Sequence, residues 1–304
     1  MIEKRFGVEN ELRWIIVDSG KGQIDQAIME EYNLDSELMS YALDKNERAH
    51  LEYDSVHDRL LLIFGLLDPI KEDNHYETVP MTFIVQNGQF ITIVNDRNAY
   101  LLKKIESYMA MHSIVSCHQF LFVVLTLALK EYFPVLDQLD REKDALNAKL
   151  RKKTTKSLLL ELSDLETGLV YLLTTANQNV LLLEQLRNQP RTQKLDRMEL
   201  EELEDALVEA RQLVAMTQLD SQILQQLSGT YNNILNNNLN DNLTILTIIS
   251  ILLAVVSVIT GFFGMNVPLP WTDQPQAWIW VIILSGVLWL ILAQLLKWFM
   301  SRKG

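Results

Sequence analysis

The sequence predicts an α+β membrane protein with an N-terminal α/β domain, a long helical stalk and a C-terminal transmembrane hairpin of two helices. Three observations predict it. Short runs rich in β-branched and aromatic residues end near residue 112, helical spacing of apolar residues follows, and two uncharged apolar spans come last. The 304 residues, 48% of them apolar, suffice for a soluble domain and a short membrane unit, but not for a carrier of many helices.

Residues 1–112 are expected to form the α/β domain. Leu12–Val17 and Arg59–Phe64 have the composition of strands, and Val79–Val94 predicts a hairpin because Asn87-Gly88 tolerates the positive φ angles of a tight turn. The single cysteine excludes an internal disulfide and fits a reducing compartment. A cytoplasmic location follows for this domain.

Residues 113–242 are expected to be helical, with breaks at Lys152–Lys156 and Asn188–Pro190. From about residue 197 the pattern predicts one amphipathic stalk helix that continues to residue 263, a length of roughly 100 Å at 1.5 Å per residue. Apolar residues recur along it at spacings of three and four: Leu200, Leu203, Leu207, Ala210 and Val214.

Two uncharged spans are each long enough to cross the hydrocarbon of a bilayer. Residues 243–263 are the first transmembrane helix and 277–296 the second, joined by a loop at 264–276. The loop has no lysine or arginine, whereas the tail at 297–304 has three basic residues. This asymmetry predicts that both termini are cytoplasmic.

The net charge of −12 disfavours nucleic acid and favours cations as partners. The sequence has no P-loop, no HExxH, no GxSxG and no dinucleotide-binding glycine motif, so it predicts neither catalysis nor ATP use. The basic group Arg151, Lys152, Lys153 and Lys156 falls at a predicted helix break and is interpreted as a solvated turn.

One face of the first span is small and polar. Its members recur every three or four residues: Asn240, Leu243, Thr247, Ser250, Ala254, Ser257, Gly261 and Gly264. Such a stripe fits a narrow wet pore, with Asn240 as a polar ring and Leu243 as an apolar constriction. It fits close packing of transmembrane helices equally well, and the spacing does not separate the two.

The string Gly264-Met265-Asn266 closes this first span, after a long stalk and an acidic α/β domain. In that context the whole chain resembles the CorA family of magnesium channels. The resemblance implies a homopentameric funnel in the cell membrane, with the first span lining the pore and Gly264, Met265 and Asn266 as its selectivity filter. It also implies passive uptake of magnesium, with cobalt or nickel, driven by the membrane potential. Matched by position, Asn240, Leu243 and Thr247 then lie on the pore side.

The resemblance also implies regulation by intracellular magnesium at subunit interfaces, with no other cofactor. It places Asp205 on such a site and Asp44 as its partner across the interface, where a divalent ion would relieve repulsion between carboxylates. Two positions depart from the family pattern. Phe263 replaces a frequent tyrosine, and Asp273 is the only acidic residue at the loop entrance.

Two alternatives stay open. The same fold also serves zinc transport, which a comparison of ion fluxes would distinguish. A membrane-anchored adaptor, in which the hairpin only anchors the chain, would show no ion flux and would tolerate substitution of Asn266.

Overall fold

The computed structural model describes residues 1–7, 9–20, 26–45, 47–190, 192, 195–265 and 276–301. The chain divides into two units, Met1–Gly229 and Thr230–Gly304. The strands are β1 (Ile2–Phe6), β2 (Leu12–Asp18), β3 (His50–Asp54), β4 (Arg59–Leu67), β5 (Thr78–Gln86) and β6 (Gln89–Val94). The helices are α1 (Gln26–Glu31), α2 (Ser36–Leu43), α3 (Tyr100–Met111), α4 (Cys117–Lys130), α5 (Tyr132–Lys152), α6 (Lys156–Arg187), α7 (Arg197–Phe263) and α8 (Ala277–Ser301).

The six strands form one sheet in the order β1-β2-β6-β5-β4-β3. Every neighbouring pair is antiparallel except β2 and β6, which run parallel. The predicted turn joins β5 to β6, and Asn87 and Gly88 have φ angles of 46° and 71°. Both values lie in the left-handed region that the Asn-Gly pair tolerates, so the hairpin prediction is confirmed.

Helices cover both faces of the sheet. On one face, sheet residues such as Ile15 and Ile84 pack with Leu38 and Met39 of α2 in one buried cluster. On the other, the Phe120 ring of α4 makes an edge contact with Trp14, with 5.3 Å between ring centroids. Burial on both faces explains why β4 is an almost uninterrupted apolar run that is buried along its whole length.

Helix α6 approaches the sheet most closely at Gly65 of β4. The buried Asn179 side chain accepts a hydrogen bond from the Gly65 N–H at 3.0 Å and donates one to the Gly65 carbonyl at 2.8 Å. The Tyr132 hydroxyl donates to the same carbonyl at 3.0 Å. A β-carbon at position 65 would overlap the methyl group of Thr175. A residue without a side chain is therefore required where α6 crosses β4.

A reciprocal cap holds the start of α7. The Asp196 N–H donates to the Glu199 carboxylate at 2.9 Å, and the Glu199 N–H donates to Asp196 at 2.8 Å. Glu199 also accepts a 2.5 Å hydrogen bond from Ser116, which caps α4. One buried carboxylate thus ties the stalk helix to the core of the first unit.

Among the residues that the structure describes, three helical segments are long and apolar enough to cross a membrane, by length and composition alone: Cys117–Lys152, Arg197–Phe263 and Trp278–Trp298. The apolar stretch of the first is mostly buried inside the protein, so it belongs to the core of the first unit. The apolar stretches of α7 and α8 are not buried in the chain. Helix α7 is continuous from residue 197 to residue 263, as the sequence predicts.

Candidate ion pathway

The small, polar face of α7 is exposed throughout. Each of the eight positions predicted from the sequence, from Asn240 to Gly264, has an exposed side chain or backbone in the single chain. The half-buried residues of the same segment are large and apolar instead: Ile248, Leu252, Val255, Ile259 and Phe263 recur at helical spacing, and Val256 adjoins them.

These two sets lie on opposite sides of the helix. At 100° per residue, the mean direction of the polar set is about 160° away from that of the half-buried apolar set. Helix α8 has one half-buried stripe of its own, which contains Val281, Ser285, Leu292 and Leu296. The surface of α7 used within its own chain is therefore not the small, polar one, and that face stays free for other molecules.

Two hydroxyl groups on the small, polar face donate their hydrogen atoms to backbone carbonyls of the same helix. Thr247 donates to the Leu243 carbonyl and Ser250 donates to the Leu246 carbonyl, both at 2.8 Å. Each hydroxyl oxygen keeps its lone pairs as acceptors. Residues of this kind present acceptor oxygens without presenting an unsatisfied donor, which suits contact with a hydrated cation.

Helix α7 ends where the tripeptide begins. The Gly264 N–H donates to the Thr260 carbonyl at 2.9 Å, and a β-carbon at Gly264 would lie only 3.1 Å from that oxygen. Met265 is exposed. Asn266 of the predicted filter and Asp273 of the predicted entrance lie outside the described residues.

Asp205 and Asp44, the predicted regulatory pair, are both exposed. Asp205 lies on the first turns of α7, and Asp44 is the C-cap of α2, where its N–H donates to the Tyr41 carbonyl at 3.3 Å. Among the described residues, no group of three or more histidine, cysteine or acidic side chains is arranged to hold a metal ion.

Glu202, beside Asp205, has the electrostatic property that such a site requires. Burial raises the pKa of the Glu202 carboxyl, and the charges of Asp205 and Glu201 raise it further. Crowded carboxylates repel one another, and a divalent cation between them removes the repulsion. The sequence pointed to Asp205 and not to Glu202, because partial burial on a helix face is visible only once the helix is packed.

The only cysteine is enclosed at the start of α4. Cys117 is buried in α4, and burial raises the pKa of its thiol to about 12. The adjacent His118 imidazole lies 4.0 Å from Glu199, and burial lowers its pKa. His118 thus lies at the junction between α4 and α7.

Comparisons with known proteins agree with this architecture. The family model described as CorA-like Mg²⁺ transporter protein matches residues 9–298. The cobalt/magnesium transport protein CorA of Methanocaldococcus jannaschii is 25% identical over 273 residues, which is 85% of this chain and 81% of that protein.

Solved structures share the fold. The complete CorA magnesium transporter from Methanocaldococcus jannaschii superposes with a TM-score of 0.74 at 22% identity, over 96% of this chain and 91% of that one. The cytoplasmic domain of ZntB from Vibrio parahaemolyticus gives a TM-score of 0.56 at 9% identity, over 76% of this chain and 88% of that one.

Proposed function

The chain belongs to the family of CorA-like Mg²⁺ transporter proteins, a family of divalent cation transporters in membranes, and we propose that it is a homopentameric channel for magnesium. Cobalt and nickel are proposed as secondary ions. The observation that carries the proposal is the exposed polar face of α7, which lies opposite the half-buried apolar stripe of that helix. A helix that packs within its chain through one side and presents small polar residues on the other is suited to line a pore.

In the proposed assembly, α7 and α8 pack through their half-buried stripes as a transmembrane hairpin. Five copies of α7 then surround the axis. Asn240 forms a polar ring at the inner end, Leu243 forms an apolar constriction, and the hydroxyls of Thr247 and Ser250 line the path above it. Both termini lie in the cytoplasm, and the loop with Asp273 faces the outside of the cell membrane.

The filter is assigned to Gly264, Met265 and Asn266. Magnesium is small and loses its water reluctantly, so a conducting site must contact the hydration shell with neutral oxygens. A ring of Asn266 carbonyls would do this, whereas a ring of carboxylates would hold the ion too strongly for release. The membrane potential supplies roughly 4.6 kcal/mol per 100 mV for a divalent ion, so uptake needs no fuel.

Magnesium is also proposed as the regulatory ion. Asp205 and the partly buried Glu202 would face Asp44 of a neighbouring copy, and a bound cation would hold the two copies together. When the cytoplasmic magnesium concentration falls, the ion would dissociate and carboxylate repulsion would loosen the interface.

The test is uptake into liposomes that contain a magnesium-sensitive dye, under an inside-negative potential. The wild type should conduct, and Asn266→Ala should abolish uptake. Asn238→Ala is the matched control, because Asn238 is exposed on α7 but points about 140° away from the polar face. The control should conduct like the wild type.

Zinc is the second candidate ion, since the fold is shared with the cytoplasmic domain of ZntB. Zinc uptake that saturates and is not reduced by excess magnesium would replace magnesium as the substrate. A folded protein that passes neither ion, with Asn266→Ala indistinguishable from the wild type, would leave the membrane-anchored adaptor as the function.

A further inference from the structure

The turn between α5 and α6 carries a concentrated positive charge in a protein whose net charge is −12. Its four exposed basic residues, named here the basic tip, are Arg151, Lys152, Lys153 and Lys156. No acidic residue lies between Asp144 and Glu161. None of the four forms an ion pair with any residue that the structure describes.

The helix dipole favours a cation at only two of the four positions of the basic tip. Arg151 and Lys152 lie in the last turn of α5, where the negative end of the helix dipole favours cations. Lys153 lies beyond that helix, and Lys156 is the first residue of α6, where the positive end of the dipole disfavours a cation. The cluster therefore lowers the stability of α6, and folding alone does not explain it.

Salt bridges define how α5 lies beside α7. Lys130, just before α5, lies 3.8 Å from Glu209, and Lys143 lies 3.6 Å from Asp220. Residue numbers increase along both members of these pairs. Helices α5 and α7 therefore run in the same direction.

Helix α6 runs in the opposite direction. Arg187 of α6 lies 3.6 Å from Glu204 of α7, and Arg211 of α7 donates to Glu184 of α6 at 2.6 Å. Between these two contacts, the residue numbers fall along α6 while they rise along α7. Lys156 precedes Glu184 by 28 residues of helix, about 42 Å. From Arg211, the part of α7 in the first unit extends 18 residues, about 27 Å, so the basic tip lies at the C-terminal end of that part of α7.

We propose that the basic tip docks on the anionic headgroups of the bilayer into which the last helices insert. Basic residues next to a membrane span are attracted to the negatively charged cytoplasmic leaflet, each by about fivefold in the binding constant. The inference rests on the membrane location of the family, and it does not depend on which ion the protein conducts or on whether it conducts at all.

A neighbouring copy of the chain is a poorer partner for the same charge. In a ring of identical copies, equal levels of the subunits meet. At the level of the tip, a neighbour would offer its own basic tip and the end of its first unit, where residues 221–229 of α7 contain no charged residue. The acidic run around Glu202 lies at the opposite end of α7.

The full chain can report docking through a fluorescent label. Ser157→Cys provides an exposed attachment point beside the basic tip, and Cys117, buried and with its pKa raised to about 12, does not compete for the reagent. The labelled protein is reconstituted in vesicles of neutral phosphatidylcholine, with or without anionic phosphatidylglycerol. Docking predicts a blue shift and quenching by brominated lipid in the anionic vesicles only, and loss of both at 1 M salt, where the screening length is about 3 Å.

Two variants that lose the same number of positive charges distinguish an effect of the basic tip from an effect of net charge. The tip variant replaces Arg151, Lys152 and Lys153 by glutamine. The control variant replaces three exposed basic residues elsewhere in the first unit: Arg5→Gln, Lys103→Gln and Arg141→Gln. The docking equilibrium should weaken about 100-fold in the tip variant and should be unchanged in the control.

Equal signals in neutral and anionic vesicles, or equal docking by the two variants, would overturn the proposal. So would a response to inorganic phosphate in neutral vesicles, which would indicate a site for a soluble anion. Ion uptake is measured in the same preparations. Docking without uptake would support the basic tip and contradict the channel, and uptake without docking would do the reverse.

Discussion

Gly65→Ala should destabilise the first unit through a single overlap. The new β-carbon would collide with the Thr175 methyl group, between α6 and β4, and the Asn179 side chain that brackets Gly65 prevents α6 from moving away. Overpacking of this kind costs about 1–3 kcal/mol. For a unit of 229 residues, 1 kcal/mol corresponds to about 2–4 °C, so the unfolding midpoint should fall by about 6 °C.

The matched test is the second substitution Thr175→Ser. It removes the methyl group that collides and keeps the hydroxyl that lies 2.8 Å from the Thr78 hydroxyl. Alone it should cost about 0.8 kcal/mol for one buried methyl group. In the double variant the overlap is absent, so its loss of stability should be smaller than the sum of the single losses.

Thermal unfolding of the full chain in detergent, followed by circular dichroism, measures all four proteins. Alanine usually stabilises a strand relative to glycine, because glycine has the more flexible unfolded chain. A midpoint that rises in Gly65→Ala, or losses that simply add in the double variant, would therefore refute the overlap as the cause.

Three further predictions concern the ion pathway and the stalk. Ser250→Cys should react with a charged thiol reagent and then lose ion uptake, whereas Leu252→Cys, on the half-buried stripe, should keep its ion uptake in the presence of the reagent. Equal reactivity of the two cysteines would contradict the assignment of the two faces. The pKa of the Glu202 carboxyl is raised in the folded protein above its ordinary value of 4.5, so the folded state loses stability as the pH rises through the folded pKa. Glu202→Gln should therefore raise the thermal unfolding midpoint at pH 7 and leave it unchanged at pH 4. The same substitution should reduce the stabilisation of the protein by magnesium. Lys143→Met leaves the partly buried Asp220 without its cation and should lower the free energy of unfolding by about 3–5 kcal/mol. A second substitution, Asp220→Leu, should restore most of this loss, and thermal unfolding measures both effects.

Local signals in the sequence predicted the local structure well. The Asn87-Gly88 turn carries its own backbone preference, and the helix breaks before Lys156 and after Arg187 follow from clustered polar residues and proline. Gly229 and the asparagines after it lower helix propensity, yet α7 continues through them. Propensity differences of this size are small beside the cooperativity of a helix that is capped and packed at one end.

The sheet order could not be read from the chain. Strands β2 and β6 are parallel neighbours although more than 70 residues separate Trp14 from its partner Phe90. No periodicity encodes such a pairing. Gly65 likewise gave no signal, because a lone glycine in an apolar strand does not reveal which helix crosses it. The polar face of α7 was predictable because its period is a property of the helix itself. The exposure of this face within the single chain was not predictable.

The placement of charge along α7 bears on how an ion could pass. The stalk begins with crowded carboxylates around Glu202, yet residues 221–265 contain one charged side chain, Asp241. At 100° per residue, Asp241 points about 160° away from the polar face, toward the side of the half-buried stripe. A ring of carboxylates in a narrow path would bind a divalent cation strongly, since each carboxylate 4 Å from a divalent ion contributes about 8 kcal/mol at an effective dielectric constant of 20. A face made of amides, hydroxyls and small residues has no such trap. In the proposed channel, selection among cations would therefore depend on the fit of neutral oxygens to a hydration shell, and the crowded carboxylates around Glu202 would serve the proposed regulation by magnesium.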